Sequence, residues 1–311
     1  MTARSLVSVN DLGDGDLDAI VRAGVGFAAG ARRRPLEGDV VGIYFSKTST
    51  RTRTAFSSGA LRLGAGIVTF GPGDLQTNTG ESWEDTGRVF GGMLDVMVMR
   101  TAGDPDLMRA WAADSLAVVN AMSAEEHPTQ ALTDLTTLLQ HFGRVDGLRV
   151  LYVGEANNTA TSLALALTRY PGTALELRTP PGYGLPETIR TTAEKQAAQR
   201  GGGLVERHDM ADLPGGFDVV YTTRWQTTGS TKPDPDWRAV FAPFQVGSAL
   251  WRNSPGAVFM HDLPAHRGEE VTAEVLDGPA SIAFRQADNK LYSAMAVLEW
   301  AAAAHGEDER Q

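Results

Sequence analysis

Apolar residues along the chain follow two alternating rhythms. Val40–Phe45, Gly66–Phe70 and Val96–Arg100 are short runs of strand length, while 54–63 and 83–93 repeat apolar residues at helical spacing. Alternation of this kind predicts parallel pairing, because parallel neighbours need a crossover that a helix supplies. Ahead of it, 6–22 reads as a short lead-in and an amphipathic helix, with Asp11 or Asp14 as caps. The periodic run 129–142 predicts a long helix ended by Gly143, and from Leu148 the alternation begins again. Arg149–Val153, Ala174–Arg178, Gly203–Arg207, 218–222 and 257–261 read as strands, 162–169 and 186–200 as helices, and 293–304 as a closing helix. The pattern predicts an α/β chain of two doubly wound parallel-sheet domains, 1–142 and 143–311. Helix 129–142 crosses between them, the closing helix returns to the first, and the active site is expected in the cleft between them.

The densest chemistry lies where the first strand gives way to the first internal helix. Ser49, Thr50, Arg51, Thr52 and Arg53 follow one another at that turn. Unpaired backbone N–H groups and the positive end of the helix dipole favour an anion there, and hydroxyls with a guanidinium fork add directed donors. A lone Ser-Thr-Arg would read as an N-cap with a solvated arginine; the unbroken run reads as a phosphate cradle.

Charge and composition narrow the classes. A net charge of −10, with no Lys/Arg-rich stripe, argues against a nucleic-acid binder, although Arg51, Arg53 and Arg100 can make one cleft locally positive. The chain has no cysteine, so neither a disulfide nor a thiolate nucleophile or metal ligand is available. No charged-then-apolar leader and no apolar run of membrane-spanning length is visible, and a cytoplasmic enzyme is expected.

Further motifs turn the phosphate cradle into a family resemblance. Gly80-Glu81-Ser82-Trp83-Glu84-Asp85-Thr86, Arg100-Thr101, His127-Pro128-Thr129-Gln130 and His261-Asp262-Leu263-Pro264 follow Ser-Thr-Arg-Thr-Arg in order. Together they resemble the aspartate/ornithine carbamoyltransferase family, over nearly the whole chain. The resemblance implies transfer of a carbamoyl group from carbamoyl phosphate to an amine, without metal or organic cofactor, by a homotrimer or a multiple of trimers. It implies that Ser49, Thr50, Arg51 and Thr52 hold the phosphate, and that Thr52, Arg100 and His127 face the carbonyl oxygen, where negative charge develops. Gln130 is then expected to accept from the carbamoyl NH₂. Lys290, in Gln286-Ala287-Asp288-Asn289-Lys290, stands where the family has an Arg that reaches carbamoyl phosphate; it keeps the charge and gives up the planar fork. Gln76 matches a loop Gln that ornithine enzymes lend to the neighbouring subunit. Arg53 is expected to be structural, in a salt bridge beneath the loop.

The acceptor side departs from the pattern. Ornithine enzymes carry D-x-W-x-S-M-G after a strand; here the segment is Thr223-Arg224-Trp225-Gln226-Thr227-Thr228-Gly229. Thr223 replaces the acid, while Arg224 and Gln226 resemble the T-R-x-Q of aspartate enzymes, whose Arg and Gln hold a carboxylate. Arg224 turned to solvent or to an acidic neighbour is the competing expectation. Ornithine enzymes have H-C-L-P where this chain has Asp262 before Leu263, so a carboxylate for a cationic amine is present in a shifted place. Asn158, in the Asn-Asn pair, is expected to contact the acceptor's α-carboxylate. These residues, with Thr227 and Thr228, make up the expected acceptor site, for an ornithine-like or shorter diamino acid other than ornithine itself. Two rival readings are a catalytically silent paralogue that binds a phosphate ligand, and a nucleotide-dependent oxidoreductase resting on the incomplete glycine pattern at Gly154.

Overall fold

A computed structural model describes residues 4–112, 116–226, 231–232 and 234–303. The chain forms two compact units, Met1–Thr136 with Asn289–Gln311, and Thr137–Asp288. In the first, Asp11 closes a capping box with Ser8, and helix α1 (Asp14–Ala28) follows. The alternation then runs β1 (Val40–Phe45), α2 (Arg51–Leu63), β2 (Gly66–Phe70), α3 (Trp83–Gly91), β3 (Val96–Arg100), α4 (Asp106–Ala112), β4 (Ala117–Asn120) and α5 (Pro128–Phe142). Gly143, at φ 71°, ends α5 as the sequence predicts, because the left-handed conformation carries no Cβ penalty there. The sheet is all parallel in the order β2-β1-β3-β4.

This first core is aromatic. Trp111 is fully buried, with Trp83 stacked on it at 4.5 Å between ring centroids. A Cβ at Gly87 would lie 2.4 Å from Trp111, so only glycine on α3 lets the indole in. Large side chains buried this way each contribute about 2 kcal/mol from surface removed from water.

The second unit repeats the plan with β5 (Arg149–Val153), α6 (Asn158–Leu167), β6 (Ala174–Arg178), α7 (Glu187–Gln199), β7 (Gly203–Arg207), β8 (Val219–Thr222), α8 (Trp237–Phe241), β9 (Val258–His261) and α9 (Ala273–Leu276). Its sheet is parallel in the order β7-β6-β5-β8-β9, over a core that includes Leu151, Val220, Phe244, Phe259 and Val271. Two parallel-sheet α/β units are therefore present, as the sequence predicts. Arg178 is buried and held by Glu176 and by the carbonyls of Asp209 and Ala211, so a charge inside this unit is fully partnered.

Helix α10 (Ala283–Ala302) begins ten residues before the predicted start at 293. Its first turns bury Gln286, Asn289 and Lys290, at helical spacing but polar, and a search for apolar periodicity passes over such a face. The short elements β4, α4, α8 and α9 also escaped the pattern. Among the described residues no helix is long and apolar enough to cross a membrane, and no group of three or more His, Asp or Glu side chains is placed to hold a metal ion.

Candidate functional site

In the first sheet the strand order reverses between β1 and β3, and in the second between β5 and β8. Ligands in open α/β sheets bind at the carboxyl ends of the strands at such switch points. The predicted residues gather at both.

In the first unit, Ser46–Thr50 carries the chain from β1 to α2. Thr50 makes no side-chain cap, and the first turn of α2 holds no acidic residue, so its leading amides and dipole stay open to an anion. Ser49 and Arg51 are half-buried, Thr50 is exposed and Thr52 is buried. Arg53 is exposed and has no ion pair among the described residues; the salt bridge expected beneath the loop is absent because the side chain points outward from the helix start.

Arg100 ends β3 at the switch point, and the chain after the neighbouring strand β4 delivers His127. Asn120 fixes that delivery: its side chain donates to Val7 O and to Ser123 Oγ and accepts from Met122 N–H. Glu126 accepts from Val9 N–H. These residues were not singled out in the sequence, where a polar Asn at the end of an apolar strand is the one available signal. The result is a buried group in which Arg100 Nη1 lies 3.5 Å from His127 Nε2, and Thr129 Oγ1 lies 3.3 Å from His127 Nδ1. Guanidinium has no acceptor, so in this contact Nε2 accepts and Nδ1 carries the proton toward Thr129. Burial, then the charges of Arg100 and Lys290, hold the His127 imidazole well below the ordinary histidine range, and the ring is neutral.

One turn along α5, Gln130 Nε2 donates to Asp134 Oδ1 at 2.7 Å, and its Oε1 accepts from Lys290 Nζ. Asp134 thereby orients the amide, a partnership visible in the sequence as a four-residue helical spacing. Thr52, His127, Gln130 and Lys290 line a cavity of about 10 Å³, room for about one water. Gln76 lies apart, exposed, with Thr79 Oγ1 on its Oε1 at 3.0 Å.

In the second unit, Asn157 caps α6 by accepting from Thr159 and Ala160 N–H, which leaves the buried Asn158 as the member of the pair without the capping task. Asp262 follows β9 and is gripped by hydroxyls: Thr223 Oγ1 donates to Oδ1 at 2.8 Å and Thr159 Oγ1 to Oδ2 at 3.1 Å. Thr223 thus holds the carboxylate that replaces the expected acid. His261 Nδ1 accepts from Leu263 N–H and Nε2 faces Glu270 Oε1 at 3.2 Å, fixing the turn. Leu263 takes φ 54°, a left-handed conformation uncommon for a branched side chain and typical of constrained sites. Arg224 is half-buried and its Nε donates to the carbonyl of Gln226, so the side chain curls onto its own loop, with no ion pair to an acid among the described residues. Thr227, Thr228 and Gly229 lie outside the described residues. Gly154, at φ 122°, is spent on the turn after β5, where a Cβ would come within 3.4 Å of Thr222 Oγ1; nothing about it calls for a dinucleotide.

Both halves of the chain are matched by models of known domains. The family model for the aspartate/ornithine carbamoyltransferase carbamoyl-P binding domain matches residues 4–140, and that for the Asp/Orn binding domain matches 146–301. The chain is 37% identical to an ornithine carbamoyltransferase of Symbiobacterium thermophilum over 96% of this chain and 97% of the relative, and 36% identical to one of Thermococcus kodakarensis over 96% of each. Among solved structures, the ornithine carbamoyltransferase of Pyrococcus furiosus superposes with a TM-score of 0.89 at 36% identity, covering 96% of both chains. With both halves matched and relatives 36–37% identical over nearly the whole chain, the chain belongs to the aspartate/ornithine carbamoyltransferase family.

Proposed function

We propose that this protein transfers the carbamoyl group of carbamoyl phosphate to the side-chain amine of an amino acid, giving a ureido product and phosphate. The observation that carries the reading is the buried Arg100–His127–Gln130–Lys290 group beside an uncapped helix start. Ser49, Thr50, Arg51 and Thr52 bind the phosphate with the amides of α2. Carbamoyl phosphate draws Arg100 onto its carbonyl oxygen. Thr52 and His127, now with its proton on Nε2, donate to the same atom, and Gln130 Oε1 accepts from the NH₂. Lys290 adds positive charge on the phosphate side. These donors are in place before reaction, which is what stabilisation of a developing oxyanion requires.

In the second unit Asn158 takes the α-carboxylate, with the free edge of Arg224 beside it, and Asp262 and Leu263 receive the cationic end of the acceptor. The amine attacks as the neutral species. The tetrahedral intermediate collapses with cleavage of the C–O bond, and the departing phosphate takes the ammonium proton. An acid placed in the loop after β9 instead of after β8, held by Thr223 and Thr159, favours an amino acid with a different spacing between amine and carboxylate than ornithine, a shorter diamino acid first. No observation favours a silent paralogue, since the donor-side cations are all present.

The working form is a cytoplasmic homotrimer in which the Gln76 loop serves a neighbouring subunit. Exposed Val68 on β2, with Val89 and Met93 at α3, flanks that loop with apolar surface suited to such an interface. Incubation with carbamoyl phosphate and a panel of ornithine, 2,4-diaminobutyrate, 2,3-diaminopropionate, lysine, putrescine and aspartate tests the reading. One strong diamino acceptor is expected; tight carbamoyl phosphate binding with no ureido product from any of them contradicts it.

A further inference from the structure

The second unit contains a buried cation that the reaction above leaves unused. Lys232 Nζ lies 4.5 Å from the ring centroids of Tyr183 and Phe241 and 5.4 Å from that of Trp237, and its side chain is 2% exposed. Glu155 faces it, with Nζ to Oε2 at 2.8 Å. Burial holds the Glu155 carboxyl above its ordinary range and Lys232 offsets part of that rise, as expected of a buried pair in which each charge has the other. A compact ammonium suits the space between ring faces, where quadrupoles add to the carboxylate's pull.

The pair joins the two loops that meet at the switch point of this sheet. Glu155 lies in the loop after β5, two and three residues before Asn157 and Asn158. Lys232 lies in the segment after β8, downstream of Thr223 and Arg224. Trp225 of that same segment enters the same aromatic cluster, 5.6 Å from Phe241 and 6.4 Å from Trp237 between ring centroids. Trp225 and Lys232 therefore enter one aromatic cluster, and Lys232 is tied to the neighbouring loop through Glu155.

We propose that Lys232 is a positioning residue: its bond to Glu155 inside the aromatic cage fixes the separation between the loop of Asn158 and the loop of Thr223 and Arg224, and so sets which length of amino acid the second unit accepts. The assignment rests on the acceptor reading given above.

The test removes the ammonium and returns it as a small molecule. In Lys232→Ala the acceptor KM is expected to rise at least about tenfold while the carbamoyl phosphate KM stays within about twofold. Preference among the diamino acids should flatten. Added n-propylammonium is expected to enter the vacated cage, change the tryptophan fluorescence of Trp225 and Trp237 saturably, and restore the acceptor KM; sodium at equal ionic strength should do neither. Lys232→Met fills the cage without charge and guards against a variant that fails to fold. It should keep the raised acceptor KM and show no rescue. An unmoved acceptor KM in both variants, an equal rise of both KM values, or no propylammonium effect overturns the positioning role. Failure of the intact protein to carbamoylate any amine overturns instead the functional reading on which it rests, while the fluorescence titration still reports whether the cage holds a cation.

Discussion

The two strand-end clusters solve opposite problems. In the first unit, Arg100, Gln130 and Lys290 are buried around a neutral imidazole beside the uncapped start of α2, with Asp134 one step removed on the Gln130 amide. In the second, the charge at the strand end is negative, and the hydroxyls of Thr223 and Thr159 hold Asp262 without neutralising it. A strand end rich in positive charge suits a phosphate-bearing donor; one that presents a carboxylate suits a cationic acceptor. The difference teaches that donor identity resides in groups that chemistry itself requires, whereas acceptor identity resides in where one carboxylate is placed and what holds it.

The comparison breaks most sharply at Arg100. Arg100→Ala should lower kcat/KM by at least about a thousandfold, because it removes a preorganised donor to the developing oxyanion; steady-state rates check this. Next comes His127→Asn, with a loss in kcat of about a hundredfold and little change in the acceptor KM. The same residue gives a pH signature. Its folded-state pKa lies below the ordinary value of 6.5, so between the two the unfolded chain binds more protons and stability rises with pH; below that window the contribution levels off as a penalty. Urea unfolding from pH 5 to 7 should show this slope reduced in His127→Asn, and the pH profile of kcat should show no histidine step near neutrality.

On the other side, Asp262→Asn should raise the acceptor KM roughly tenfold and leave the carbamoyl phosphate KM within about twofold, since a neutral amide keeps the threonine geometry and loses the charge. The smallest effect is expected from Arg53→Ala, within about twofold in every parameter, because the side chain is exposed and unpaired among the described residues.

Much of this was legible in the sequence for a physical reason. Strands buried on both faces appear as unbroken apolar runs, so Val40–Phe45, Val96–Arg100 and Arg149–Val153 could be bounded directly, while the exposed edge strand Gly66–Phe70 was legible from its short β-branched and aromatic run. The phosphate turn was legible because hydroxyls and guanidinium groups crowd a strand-to-helix junction. What stayed hidden depends on contacts far apart in sequence: Asn120 steering His127, Thr159 gripping Asp262, Lys232 reaching Glu155. The polar start of α10 was hidden because its buried face is made of Gln286, Asn289 and Lys290, which hydropathy reads as loop.

The most direct test of the division between donor and acceptor clusters is a pair of steady-state measurements with the best acceptor, one on Thr52→Val and one on Asp262→Asn. The account predicts that Thr52→Val raises the carbamoyl phosphate KM or lowers kcat with the acceptor KM unmoved, and that Asp262→Asn does the reverse. Both substitutions moving the same KM would contradict it.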